Sequence, residues 1–253
     1  FGAWFGNQFN DNTAYLFKYV IHNNSNIKAV WLTKNNQKIK DLRQQGYPIY
    51  HKNSIKGFWY GSRAGATFIN CGYDDVNKYC IKQSLIVQLW HGVPLKKIKN
   101  DDIINVNKKR SHITVMIRDI LIKLLPFLDE QYDLIISSSS NVSDYFVSAF
   151  KISRSKIIET GSPRMDIITT PIFSYNKEKL YDEKLINKCI LFAPTHRKEG
   201  KGHPNYFTSI NFDKFNQFLI EYKAILLIKM HYYEQKKEKK FPGNVYSNIK
   251  SLD

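Results

Sequence analysis

Three histidines stand at the ends of short apolar runs, each with cations nearby. His91 closes "LIVQLWH" and leads into Gly-Val-Pro and the pair Lys96 and Lys97. His196 lies in "CILFAPTHR" between Thr195 and Arg197, and His231 ends "AILLIKMH", two residues after Lys229. Open α/β sheets place their ligand crevice outside the carboxyl ends of the strands. A histidine there can exchange a proton near neutral pH, and neighbouring Lys and Arg can hold phosphate oxygens. A lone histidine at a strand end is more often a plain hydrogen-bonded residue, but the recurrence favours a common site.

The flanking residues sharpen that chemistry. Gly92 lets a ligand approach the backbone closely. Arg197 offers a rigid fork for a diphosphate, to which the Thr195 hydroxyl and loop amides could also donate. His196 and Lys198 add positive charge, although a basic surface loop would look the same. Lys229 and His231, two apart on an extended chain, point to one side. "TGSPRMD" at 160–166 reads as a turn punctuated by Gly161 and Pro163, with Arg164 and Asp166 spaced for an i, i+2 polar contact, or simply as a linker. "SSSSN" at 137–141 could seat an anion at a helix start, and serves more simply as a cap of small residues. No G-x-G-x-x-G and no P-loop motif is present.

The elements that must position these residues follow an α/β order with a mainly parallel sheet. Strands are expected near 27–33, 47–50, 66–70, 85–90, 132–139 and 156–161. Helices fall between them: "DNTAYLFKYVIHNN" with an Asp or Asn cap, and "NVSDYFVSAF" with Asn141 as cap. The expected division is an N-terminal domain over 1–165 and a second over 166–253. The latter opens with a polar, Tyr- and Lys-rich helical stretch at 174–188 and shows two strands, "CILF" and "AILLI". Two parallel strands make a poor sheet by themselves, so the second domain reads as incomplete, and both chain ends read as cut from a longer protein.

The 253 residues are 43% hydrophobic, enough for a real core. The formal charge of +16, from 38 Lys and Arg against 22 Asp and Glu, suits a polyanionic partner or anionic lipid, or a solvated surface rich in lysine. The lysines are spread along the chain without a nucleic-acid-binding signature, so no nucleic-acid partner is expected. Cys71, Cys80 and Cys189 have neither disulfide nor zinc spacing, which fits a reducing cytoplasm. No signal peptide is visible. "ITVMIRDILIKLLPFL" at 113–128 is too short and too charged to span a bilayer; it reads as a buried amphipathic helix, with a surface-lying membrane helix as the other reading.

Taken in order, "FGAWFGNQFNDN", "WHGVPLKKI", "YDLIISSSS", "TGSPRMD", "FAPTHR" and "IKMH" resemble the CDP-glycerol glycerophosphotransferase family, which includes teichoic acid and capsule polymerases. The resemblance runs over nearly the whole chain. It implies a GT-B-type architecture of two Rossmann-like domains facing across a cleft, with the acceptor on the first and the nucleotide donor on the second. It implies transfer of glycerol phosphate, or a related polyol phosphate, from a CDP-activated donor to an acceptor hydroxyl on a polymer or lipid-linked primer, with release of CMP, at the inner face of the cell membrane. His91 and His231 then fall on the family's active-site histidines and Arg197 on its arginine. His91 would be the base, with Arg197 and His231 stabilising the phosphates, Thr195 donating to them, and Lys96, Gly161, Arg164, His196 and Lys229 binding substrate. No tightly bound cofactor is expected, while Mg2+ could arrive with the diphosphate. The family's aspartate-bearing strand end with a Ser-Ser pair would follow Asp253, so this chain is expected to hold donor weakly. A GT-B glycosyltransferase using a nucleotide sugar, or a catalytically incomplete scaffold in a membrane-associated assembly, are the alternatives.

Overall fold

The computed structural model describes residues 1–24, 26–102, 129–169, 185–194, 210–230 and 245–252, with a few further positions between 116 and 127 and at 181 and 207. The chain forms two compact units, Phe1–Phe173 and Ser174–Asp253. Both are built from parallel strands, as the alternation of β-rich runs and amphipathic helices requires.

The first unit opens with a tight turn at Trp4–Gly6 and helix α1 (Asp11–Asn23). Then come β1 (Trp31–Thr33), α2 (Asn36–Gln44), β2 (Ile49–His51), α3 (Ile55–Ser62), β3 (Ala66–Ile69) and β4 (Leu85–Gln88). They are followed by β5 (Leu134–Ser137), α4 (Ser140–Phe150), β6 (Ile157–Glu159) and the short α5 (Asp166–Thr169). β1 and β2 pair with each other, while β3, β4, β5 and β6 form a four-stranded parallel sheet in that order. All six strands expected here occur; five are shortened at one or both ends, and β2 starts later and runs one residue past its expected end. The Phe1 carbonyl accepts the Leu32 amide at 2.8 Å and the Gly2 amide donates to Phe68 O at 3.1 Å, so the N-terminal residues join the two sheets.

One core cluster gathers Ile69, Ile86, Ile135, Ile157 and Phe146 across the four-stranded sheet, and another gathers Phe17, Trp31, Ile39 and Ile49 about α1 and β1. Fully burying side chains of this size contributes roughly 1.5–3 kcal/mol each. The cap of α4 lies two residues before the expected Asn141. The Ser139 hydroxyl accepts the Val142 amide and is the cap, because the serine run reaches the helix first and needs only a short side chain to satisfy an orphan amide. α1 also departs from expectation: neither Asn10 nor Asp11 makes a conventional cap bond, and Asp11 is engaged elsewhere.

In the second unit, β7 (Lys188–Phe192), β8 (Ala224–Ile228) and β9 (Ile249–Ser251) form a parallel sheet in that order, and helix α6 (Phe212–Glu221) precedes β8. β8 is buried along its whole length. The third strand corrects the expectation of two. β9 is only three residues long and carries no alternation to reveal it, yet Ile249 is fully buried against Leu219, Ile228 and Met230. The expected helix at 174–188 falls largely outside the described residues. In the 113–128 segment the described residues are mostly helical, but Met116, Ile117, Ile120, Leu121, Leu124 and Leu125 are exposed, which corrects the expectation of a buried amphipathic helix. Among the described residues, no helix is long and apolar enough to cross a membrane.

Candidate active site

Because its strands are parallel, the four-stranded sheet presents all their carboxyl ends along one edge, where open α/β sheets place their ligand crevice. His91 follows β4, an inner strand. Its ring is half-buried, stacked on Trp90 at a centroid distance of 4.1 Å and tilted against Trp4 at 5.3 Å. Burial holds the imidazole below its ordinary pKa of 6.5. Asp11 pulls the other way, and the cations Arg164 and Lys99 push it further down. His91 is therefore neutral at pH 7 and free to accept a proton.

Long-range polar contacts fix the backbone that carries it. Asn12, completely buried on α1, donates from its amide to Leu89 O at 3.1 Å and Trp90 O at 2.9 Å. Its side-chain oxygen accepts the Arg164 amide at 3.2 Å. One side chain thus ties together α1, the end of β4 and the turn after β6. Beside it, the Asp11 carboxylate, 7% exposed, accepts Arg164 Nη1 at 3.1 Å. The other arm of that fork, Nη2, lies 3.2 Å from where a Cβ on Gly92 would stand, so the glycine leaves room for it.

The backbone here is unusual. Asp11 and Trp90 are left-handed non-glycines, with φ of 62° and 50°, and Gly92 and Gly161 have φ of 152° and 80°. Left-handed non-glycine residues cost of order 1–3 kcal/mol each and persist only where surroundings over-determine them. They converge on His91.

The other expected site residues divide as follows. Arg164 comes to His91 and pairs with Asp11, 153 positions away. Gly161 shapes the turn after β6, its amide donating to Ser137 O at 3.0 Å. Lys96 lines a cavity of about 510 Å³ with Pro94, Leu95, Lys97, Asn100 and Tyr145, and His91 is not among the lining residues. Lys229, after β8 in the second unit, donates to Leu252 O at 2.6 Å. Thr195, His196, Arg197 and His231 lie outside the described residues. Trp4, Asp11 and Asn12 belong to the quoted stretch "FGAWFGNQFNDN", but the sequence reading gave them no role at the site. The available signal was a pair of polar residues, Asn12 and Thr13, on the buried face of α1, whereas a local reading sees only helix caps. Among the described residues, no cluster of three His, Cys, Asp or Glu could hold a metal ion.

The family described as "CDP-Glycerol:Poly(glycerophosphate) glycerophosphotransferase" matches residues 1–251 of this sequence, nearly its whole length. The chain belongs to that family. Its relatives include a teichoic acid glycerol-phosphate transferase of Staphylococcus aureus, 30% identical over 239 residues, and a teichoic acid poly(glycerol phosphate) polymerase of Bacillus spizizenii, 28% identical over 256 residues. Each alignment covers 92% of this chain, and the chain spans 59% and 58% of the two proteins. The wall teichoic acid polymerase TagF has a similar structure, with a TM-score of 0.67 at 20% identity over 99% of this chain and 60% of that one. The family fold is therefore present: α/β, with parallel sheets of the GT-B kind. Within the family, the sequence resemblance placed His91 at an active-site position, and the structure surrounds it with Trp4, Trp90, Asp11 and Arg164.

Proposed function

We propose that this chain carries the acceptor-side domain and part of the donor-side domain of a transferase. The enzyme moves glycerol phosphate from CDP-glycerol to a hydroxyl of a teichoic acid-like polymer or its lipid-linked primer and releases CMP. The observation that carries this reading is His91. A neutral imidazole at the end of an inner strand, half-withdrawn from water, has beside it an arginine whose position a buried carboxylate fixes. Membership of the family and the glycerol phosphate named in both relatives support the substrate class.

In this mechanism the acceptor hydroxyl gives its proton to His91 as its oxygen attacks the donor phosphorus, and the bond to CMP breaks. General-base assistance of this kind is worth about 100- to 10,000-fold. Arg164, paired through one arm, offers its second arm to a phosphate oxygen on the acceptor side. His231, Arg197, Thr195, His196 and Lys229, all in the second domain, serve the donor phosphates. A magnesium ion could accompany the diphosphate. The enzyme works at the cytoplasmic face of the membrane, where nucleotide-activated donors and lipid-linked acceptors meet.

The test is CMP release from CDP-glycerol with a polyol-phosphate acceptor, using the chain extended to the length of its relatives. His91→Ala should lose at least about 100-fold in rate while still binding donor. Full activity in that variant would remove His91 as the base, and release of a nucleotide from UDP-sugars but not from CDP-glycerol would overturn the substrate class.

A further inference from the structure

The withdrawal of His91 from water has a cause that lies in the fold, away from the reacting groups. Asp75, in the short turn Tyr73–Asp75 after β3, is fully buried. One of its oxygens accepts the Phe5 amide at 2.6 Å. The other accepts the amides of Asn70 and Cys71 at 2.8 and 2.7 Å. Trp4, Phe5 and Gly6 are all left-handed, with φ of 49°, 57° and 75°, a conformation that two bulky aromatic residues keep only under constraint. Gly6 O is held in turn by the Lys34 amide and the Thr33 hydroxyl, both at 2.7 Å. The turn delivers the Trp4 ring to His91. Among the described residues, Trp4 Nε1 is buried without a hydrogen-bond partner, and the ring is placed by its backbone and packing.

We propose that Asp75 is a positioning residue for His91. By fixing the Phe5 amide, it holds the left-handed turn that lays Trp4 against the imidazole, and so sets how far that ring is removed from solvent. Only a carboxylate meets the requirement, because both of its oxygens accept. An asparagine must turn its NH2 toward either the Phe5 amide or the pair from Asn70 and Cys71, and one set of bonds is lost.

The test is the titration of the His91 ring by NMR in this chain, with its resonance assigned by its disappearance in His91→Gln. It reads position independently of whether His91 is the base, so failure here and failure of the proposed reaction are separate results. Asp11, Arg164 and Lys99, the charged groups that act on His91, are unchanged in both variants. Asp75→Asn should raise the His91 pKa toward its ordinary 6.5 as the ring gains water. The sign is diagnostic, since loss of a nearby negative charge alone would lower it. Trp4→Ala should raise it in the same direction, and the double variant should add little to either single one. An unchanged or lowered pKa in Asp75→Asn would overturn the proposal, as would an unchanged pKa in Trp4→Ala. If Asp75→Asn does not fold, Asp75→Glu, which keeps the charge but displaces both oxygens from the Phe5, Asn70 and Cys71 amides, takes its place with the same expected rise, and an unchanged His91 pKa there overturns the proposal.

Discussion

Replacing Asn12 by alanine removes three hydrogen bonds at a position with no exposure at all. The carbonyls of Leu89 and Trp90 and the amide of Arg164 lose their partner together. A buried group left unsatisfied costs about 1–3 kcal/mol. A water entering the vacated space could bond all three groups and recover part of this, which leaves a net cost of about 2–4 kcal/mol. For a unit of this size each kcal/mol lowers the melting temperature by roughly 2–4 °C, so Asn12→Ala should melt about 5–15 °C below wild type in thermal unfolding followed by circular dichroism. Asn23 provides the control. It lies at the other end of the same helix, where its amide donates to Tyr19 O in an exposed setting, and Asn23→Ala should change stability by no more than about 0.5 kcal/mol. Asn12→Asp should also be costly, since it keeps an acceptor for the Arg164 amide but faces two carbonyl lone pairs with a carboxylate. Equal melting of Asn12→Ala and Asn23→Ala would refute the claim that this side chain holds the strand end.

Gly92→Ala must adopt φ near 152° and crowd Arg164 Nη2, so CMP release by the extended chain should fall and the melting temperature should drop by roughly 2–12 °C. Ser139→Ala removes the cap of α4 and should destabilise by about 1 kcal/mol, measured by urea unfolding, with Ser139→Asp restoring most of it. The exposed Cys189 should react with a thiol reagent in the native protein, while the buried Cys71 and Cys80, whose thiols burial pushes up, should react only on unfolding. His91 also links stability to pH. Its folded pKa lies below 6.5, so between the two values the unfolded chain binds more protons and stability rises with pH. Wild type should therefore lose stability relative to His91→Gln as pH falls below about 6.5, and parallel stability curves would contradict this.

The strands were legible because burial on both faces writes itself as continuous apolar runs, and "LIVQLW" or "AILLI" could hardly be anything else. β9 was not, since three residues at "IKS" carry no pattern and owe their state to pairing with β8. The same divide runs through the site. His91 could be read from its place after a strand and before Gly-Val-Pro. Asp11 and Asn12 could not be assigned a role, because their partners lie 77 to 153 positions away and a local reading offers only a helix start. Asp75 sat unnoticed in "GYDD" for the same reason: its meaning lies in the Phe5 amide, 70 positions back. Arg164 was picked out for a contact with Asp166 two residues on and for its place in the family's motif, and what remained hidden was the Asp11 carboxylate that aims it.

The union of the two sheets through Phe1 and Gly2 makes one seam out of distant parts of the chain. Phe1 stacks on Phe68 at 4.6 Å and meets Phe17 edge-on at 5.4 Å, with the backbone bonded to both β1 and β3. The Trp4 turn follows directly from that seam, so whatever loosens Phe1 from Phe68 frees a sheet edge on each side and slackens the turn that lays Trp4 against His91. The shelter of the candidate active site is thereby tied to how firmly the two sheets are stitched together.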